Sequence, residues 1–163
     1  MAQEKPAIGN LKNPKTILVI VLLIIFTGAT TYAIMSDISV HGLTVRMYGV
    51  SRSCTSNRVV TFSINNAQVW STASLQTSLT HVSFSLAADG VTVGTQTAPD
   101  KSFSPGQSAS YTLTLSNPAI DPNSLPQGSH LILSVTALVS AGIYSSYLTT
   151  SDPQSETFSG QTC

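Results

Sequence analysis

The chain has 163 residues, no formal net charge at pH 7 and only 9% charged residues. Residues 37–163 hold four basic and six acidic residues, and so slight a charge excludes electrostatic attraction to nucleic acid or to an anionic membrane surface. This part is long enough for one domain with its own core and too short for two comfortable ones.

The N-terminal part predicts a tail and a membrane-spanning helix. Residues 1–15 are polar and contain two prolines and a glycine, which favours a short disordered cytoplasmic tail. Residues 16–36 contain no charged side chain. About 20 apolar residues in a helix cross a hydrocarbon core of ~30 Å. We therefore expect a transmembrane helix over 16–36 that places the chain in a lipid bilayer.

Flanking charge predicts the orientation of this helix. Lys5, Lys12 and Lys15 precede it against the single acid Glu4. An excess of lysine at one end of a span keeps that end in the cytoplasm. The expectation is a single-pass protein of the cell membrane, with residues 37–163 as an extracytoplasmic domain.

A cleaved secretory signal is the alternative for the same segment. Residues 17–26 fit its apolar region, and Thr31-Tyr32-Ala33 fits a small-residue cleavage site. The apolar character continues through Met35, which favours a retained anchor. Both interpretations export the remaining chain, and whether the helix is cleaved stays open.

After residue 36 the period of the sequence becomes two, which is typical of strands with one buried and one wet face. Apolar residues alternate with serine and threonine in five runs, at residues 60–64, 82–86, 91–93, 111–115 and 131–139. The pattern predicts an all-β immunoglobulin-like sandwich of about seven strands.

Turn residues separate these runs. Asp89-Gly90 predicts a tight hairpin, and Pro105-Gly106 predicts a type II turn before the next strand. Residues 117–128 contain three prolines, which excludes a helix or strand there. We expect a long loop that crosses between the two sheets.

Cys54 and Cys163 are the two cysteines of the chain. In an oxidising compartment such a pair predicts a disulfide that ties the last residue to the turn before the second strand. Intermolecular pairing is the alternative. A redox function is disfavoured because no Cys-x-x-Cys pair occurs.

Three segments carry a family resemblance: the Asn-ended strand at residues 58–66, the Asp-Gly hairpin at 81–94 and the Pro-Gly-x-Ser turn at 103–108. They resemble CARDB-like and late-embryogenesis-abundant-type (water-stress) β-sandwiches. The resemblance implies an adhesive or packing module without catalytic residues. A sandwich of this size on one membrane anchor also resembles, in architecture, the stator proteins of the archaeal swimming filament.

Residues for catalysis or metal binding do not form a recognisable pattern. His41, His81 and His130 are isolated and lack metal-ligand spacing. Residues 106–110 read Gly-Gln-Ser-Ala-Ser and lack the final glycine of a nucleophile elbow. We therefore expect no cofactor, no metal site and no enzymatic activity.

Aromatic residues are the candidates for partner contacts. Trp70, Tyr144 and Tyr147 could anchor a partner if they are exposed, and for Trp70 the alternative is a place in the core. Residues 141–148 carry no charge. If they form an edge strand, it is poorly protected against pairing with another chain.

These features favour a non-catalytic, membrane-anchored assembly or adhesion protein of a cell envelope or surface structure. Its expected partners are other membrane or envelope proteins, with a homo-oligomer as one possibility. A first alternative is a small accessory subunit of a membrane enzyme complex, whose helix would pack through Gly28 and neighbouring small residues. A second alternative is a subunit of an extracellular filament.

Overall fold

The computed structural model describes residues 13–54, 59–72, 74–121, 125, 128–152 and 156–157. One helix and nine strands occur in these ranges: α1 Pro14–His41, β1 Leu43–Cys54, β2 Val60–Ser71, β3 Thr77–Ala88, β4 Val91–Thr97, β5 Lys101–Phe103, β6 Ser108–Ser116, β7 His130–Ala141, β8 Tyr144–Ser151 and β9 Glu156–Thr157. The expected tail at residues 1–15 lies almost wholly outside the described residues.

Helix α1 begins at a well-formed N-cap. The Asn13 side chain accepts a hydrogen bond from the Lys15 N–H at 3.1 Å, and Pro14 occupies the first turn, where a missing N–H costs nothing. The helix has 28 residues and an apolar window of mean hydropathy 2.5, none of it buried by the described structure. By length and composition it can span a membrane.

The helix also continues beyond residue 36, where the apolar span ends. Its last turns run to His41, and Ser36, Ser39 and Val40 are buried against the sandwich. The two serine hydroxyls donate to backbone carbonyls one turn earlier, Ser36 to Tyr32 at 2.8 Å and Ser39 to Met35 at 2.6 Å. Because these polar groups are satisfied inside the helix, they can be buried at its end.

The strands form two antiparallel sheets, as the alternation predicts. One has the order β1-β2-β6, and the other has the order β4-β3-β7-β8 with β5 beside β3 and β9 beside β7. This is the immunoglobulin-like arrangement in which the fourth strand joins the second sheet. Strand β6 belongs to the first sheet and β7, the next strand along the chain, to the second, so the chain crosses between the sheets here as predicted; residues 122–124 and 126–127 of the predicted loop lie outside the described residues.

The core between the sheets contains the alternating apolar residues of the five predicted runs, except Val91, which is 53% exposed at the start of β4. Phe62, Ile64, Phe84, Leu86 and Leu133 are among its fully buried side chains. The buried residues form a single cluster that includes both sheets and Val40 of α1. The end of the helix is therefore part of the domain's packing.

Two predicted turns are present. At the β3–β4 hairpin, Asp89 and Gly90 have φ values of 47° and 84°, as a type I′ turn requires. At residues 105–106, the Gln107 N–H donates to the Ser104 carbonyl at 3.0 Å and closes the turn before β6.

The expected Asn-ended strand is wrong, because β2 continues past Asn66 to Ser71. Its register with β6 shifts between Ile64 and Ala67, so a β-bulge adds one residue and exchanges the two faces of the strand. Without the bulge, Trp70 would share a face with Phe62 and Ile64. With it, Ala67 and Val69 point into the core.

Candidate functional site

The end of the sandwich that carries α1, here called the helix end, is the candidate site. At this end the Ser71 hydroxyl of β2 donates to the Ser39 carbonyl of α1 at 2.7 Å, and both serines are buried. The Thr72 N–H donates to the Gly42 carbonyl at 3.2 Å. A single residue, Gly42, separates α1 from β1, so the helix is joined to the sandwich without a linker.

The hairpin between β7 and β8 packs against the same helix. Its turn residues are Gly142 and Ile143, and the Ile143 N–H donates to the Ser36 hydroxyl at 3.4 Å. Gly142 has a φ of 58°, and a Cβ there would collide with Ser36 Oγ and lie 3.1 Å from the Tyr32 hydroxyl. Only glycine permits both this backbone conformation and this close approach to α1.

Strand β8 follows this hairpin and is an edge strand with a neutral surface. Within the described part of the chain it pairs only with β7. It contains no charged residue from Tyr144 to Ser151. Tyr144 and Tyr147 are 45% and 62% exposed. The edge therefore offers backbone hydrogen-bonding groups and aromatic side chains without charged gatekeepers.

The two tyrosines do not form one patch. They are three residues apart in a strand, so their side chains lie on opposite faces. Tyr147 lies 6.3 Å from the His81 ring, centroid to centroid. Tyr144 pairs in register with Ala141, at the helix end. A partner that binds β8 along its edge could contact both.

Asp152 follows β8 and links the two sheets. Its carboxylate accepts a hydrogen bond from the Met47 N–H of β1 at 2.8 Å, and its own N–H donates to the Leu133 carbonyl at 2.8 Å. Asp152 and Met47 are both buried. This bond holds β1 next to the end of β8.

A second candidate site contains Trp70, which lies on the outer face of the first sheet. It is half-buried and is not part of the core, so the alternative that it fills the core is wrong. It borders a groove of about 330 Å³ whose lining residues include Arg46, Tyr48, Gln68 and Gln107. A hydrogen bond to Tyr48 raises the pKa of Arg46. Among the described residues, the groove lining contains no carboxylate, imidazole or thiol.

A third candidate site contains Gly28, which lies on the exposed part of α1. None of the described residues, its neighbours in the helix aside, lies within 4 Å of the position of a Cβ on it. The Thr27 and Thr31 hydroxyls donate to backbone carbonyls within the helix at 2.7 and 2.8 Å, so they present their methyl groups outward. The result is a shallow apolar groove of about 610 Å³, lined by Leu23, Ile24, Thr27, Gly28, Thr31, Tyr32 and Met35.

The predicted contact residues are thus spread over three places: the β8 edge, the Trp70 groove and the Gly28 groove. Sequence reasoning missed Ser36 of the helix end, and it included Gly142 and Ile143 in a possible edge strand, whereas in the structure they form the turn before β8. The one available signal was the Gly-Ile pair in a neutral segment before Tyr144. Cys54 is the last residue of β1, whereas Cys163 lies outside the described residues, so the disulfide stays a prediction.

The described residues hold no group of three or more His, Cys, Asp or Glu side chains that could bind a metal ion. His41 of α1 lies 3.2 Å from the Asp37 carboxylate, with both side chains exposed. Asp89 has a structural contact: its carboxylate accepts from the His130 N–H at 2.9 Å. That backbone bond, with a second from the Ser129 hydroxyl, lowers the pKa of Asp89.

No protein family and no curated protein matches the chain. Among solved structures, the chain is similar to a protein from Archaeoglobus fulgidus, with 8% identity, a TM-score of 0.42 and coverage of 71% of this chain and 98% of that chain. It is also similar to part of a protein from Bacteroides fragilis described as a "putative beta-galactosidase", with 14% identity and a TM-score of 0.30. That match covers 69% of this chain and 16% of the other.

Proposed function

We propose that this chain is a membrane-anchored, non-catalytic assembly protein of a cell envelope, held in the bilayer by α1. The observation that supports this most is the combination of an exposed apolar helix with a sandwich whose edge strand β8 carries no charge and, among the described residues, pairs only with β7. The helix supplies the anchor and the edge supplies the contact. The lysines before α1 favour an outward-facing sandwich.

The proposed contact is strand addition at β8. A partner strand would extend the second sheet beyond β8, with the backbone supplying hydrogen bonds and Tyr144 and Tyr147 supplying side-chain contacts on opposite faces. The partner would be another membrane or envelope protein, or a second copy of this chain paired antiparallel through the same edge. Both fit a surface that carries no charge to exclude them.

A charged edge tests this contact. Ser145→Lys places a lysine on β8, whereas Thr95→Lys places one on β4, the exposed strand at the other edge of the same sheet. We expect the β8 variant to abolish migration as a larger complex after gentle extraction of native membranes, and the β4 variant to migrate unchanged. Mass analysis of the native complex then identifies the partner.

Other results of that experiment decide against this form of the proposal. If both variants keep the complex, the contact lies outside β8. If the native chain migrates as a monomer, it is not an assembly protein. Long polymers would instead favour the filament subunit.

An accessory subunit of a membrane enzyme complex is a second candidate, and the Gly28 groove favours it. Small residues with internally bonded hydroxyls let another helix approach closely within a bilayer. Gly28→Leu fills the groove, whereas Phe26→Leu changes the opposite side of α1. We expect Gly28→Leu alone to lose co-purifying membrane proteins. Unchanged co-purification would place the contact on the sandwich.

The CARDB-like or water-stress identity of the sandwich also remains a proposal. It is supported by the Asp89-Gly90 hairpin and by the turn at residues 105–106, which form as the resemblance implies. The continuation of β2 beyond Asn66 departs from it.

A further inference from the structure

We infer that the Gly142–Ile143 hairpin lies in the lipid headgroup layer and forms a second membrane contact beside α1. The inference rests on the proposed anchoring of α1 in a bilayer. It adds that the sandwich does not stand free above the membrane but touches it at one defined point. The occupant of this surface is the interfacial layer of the lipid itself.

The depth of the hairpin follows from the helix. Lys15 and Asp37 are the charged residues that flank the apolar part of α1. At a rise of 1.5 Å per residue, the helix between them matches a hydrocarbon core of ~30 Å. Ser36, the last residue before Asp37, therefore marks the level at which the chain leaves the hydrocarbon.

The hairpin contacts α1 at this level and not above it. Ile143 donates its N–H to Ser36, and Gly142 packs against Ser36 and the Tyr32 hydroxyl. Both helix residues precede Asp37. Because α1 runs into the sandwich without a linker, the hairpin cannot lie far from the depth of this helical turn.

The chemistry of the hairpin fits that depth. Ile143 is 64% exposed, and the neighbouring Tyr144 and Tyr32 are each 45% exposed. No charged residue occurs between His130 and Asp152. An exposed aliphatic side chain flanked by tyrosines is typical of the membrane interface, where the ring is in apolar surroundings and the hydroxyl is hydrated.

The hairpin at the opposite end of the sheet provides an internal control. Strands β3 and β7 pair from Thr77 with Ala141 to Ala88 with Leu131. The β3–β4 hairpin therefore lies roughly 40 Å from the β7–β8 hairpin, at about 3.4 Å per residue. Its exposed apolar residue is Val91, 53% exposed.

Single tryptophans at three positions test the inference in the full chain. Trp70 is the one tryptophan of the sequence, so Trp70→Phe gives a silent background. Ile143→Trp, Val91→Trp and Phe26→Trp are each placed in that background and reconstituted into phosphatidylcholine vesicles with or without brominated acyl chains. Phe26→Trp reports the position of the helix in the hydrocarbon, and Val91→Trp reports the position of the β3–β4 hairpin.

We expect bromine to quench Phe26→Trp strongly, to reduce the emission of Ile143→Trp by about twofold and to leave Val91→Trp unchanged. Quenching at 26 without quenching at 143 would overturn the inference and leave the anchor intact. Loss of quenching at 26 as well would overturn the proposed anchor too. Quenching at 91 equal to that at 143 would show a sandwich lying flat and would overturn the single contact point.

Tyr144→Trp in the same background is the second variant, in case the change at 143 disturbs the turn. Tyr144 has ordinary strand geometry and pairs with Ala141. It should be quenched as Ile143→Trp is, and an unquenched Tyr144→Trp in a folded chain counts against the inference.

Discussion

The two hairpins of the second sheet differ in what holds them. The β3–β4 hairpin is held within its own sheet: Asp89 exchanges two hydrogen bonds with His130 of the neighbouring strand β7, and none of the described residues beyond its chain neighbours lies within 4 Å of the position of a Cβ on Gly90. The β7–β8 hairpin is held by an element outside the sheet, because Gly142 packs against α1. Positive φ at Gly90 therefore serves only the turn itself, whereas at Gly142 a glycine is also needed for close packing against α1.

The largest expected effect comes from alanine at these two glycines. Both have positive φ, 58° at Gly142 and 84° at Gly90, so each alanine costs about 1–2 kcal/mol of backbone strain. Gly142→Ala also meets Ser36, and overpacking adds about 1–3 kcal/mol. We expect the free energy of unfolding, followed by Trp70 fluorescence in detergent micelles, to fall further for Gly142→Ala than for Gly90→Ala.

A double-mutant cycle isolates the contact with the helix. Ser36→Ala removes the hydroxyl that the new Cβ would meet, so it should recover part of the loss caused by Gly142→Ala. Equal losses for the two glycine variants, with no coupling to Ser36, would mean that α1 does not shape the hairpin.

The next largest effect is expected at Asp152, which belongs to neither hairpin. Asp152→Ala leaves the Met47 N–H buried without its acceptor and should lower the free energy of unfolding by about 1–3 kcal/mol. Asp152→Asn keeps an oxygen acceptor and should lose less. If both variants unfold like the native chain, the bond between β1 and the end of β8 contributes nothing to stability.

The smallest effect on stability is expected at the β3–β4 hairpin, and it depends on pH. The His130 N–H, followed by the Ser129 hydroxyl, lowers the pKa of Asp89. The ionised carboxylate therefore stabilises the fold above its unfolded pKa of about 3.9, and this contribution is lost as pH falls through the lower folded pKa.

Asp89→Ala tests this assignment. The stability difference from the native chain should be present at neutral pH and shrink as the solution is acidified below about pH 4. Asp89→Asn tolerates the positive φ and keeps an acceptor, so it should retain more stability at neutral pH. A difference between native and alanine chains that stays constant from pH 7 to the acid limit would contradict the role of the charge.

The local pattern of residues was enough to predict the sandwich and its turns. Alternation in β3, β6 and β7 identified the core, and Asp89-Gly90 identified a hairpin because these two residues suit the positive φ values of its turn. The bulge in β2 was not predicted, because no residue type requires it. It exchanged the faces of β2 and turned Trp70 outward.

The helix end could not be predicted because its parts are distant in sequence. Ser36 and Ser39 look like the polar end of a span, and their burial depends on internal hydrogen bonds of α1 and on contact with β2 and the β7–β8 hairpin. The charge-free segment at residues 141–148 was identified, but only the fold shows that it begins beside the helix.

The junction at Gly42 also fixes the orientation of the sandwich relative to α1. Each residue of an α-helix advances the chain by about 100° of rotation and 1.5 Å of rise, and α1 passes to β1 through one residue. The number of residues between Gly28 and Ser36 therefore fixes the angle, about the axis of α1, between the Gly28 groove and β8. One residue inserted between them would change that angle by about 100°, more than a quarter turn. The spacing along α1 therefore determines which side of the helix β8 occupies relative to a partner bound at the groove.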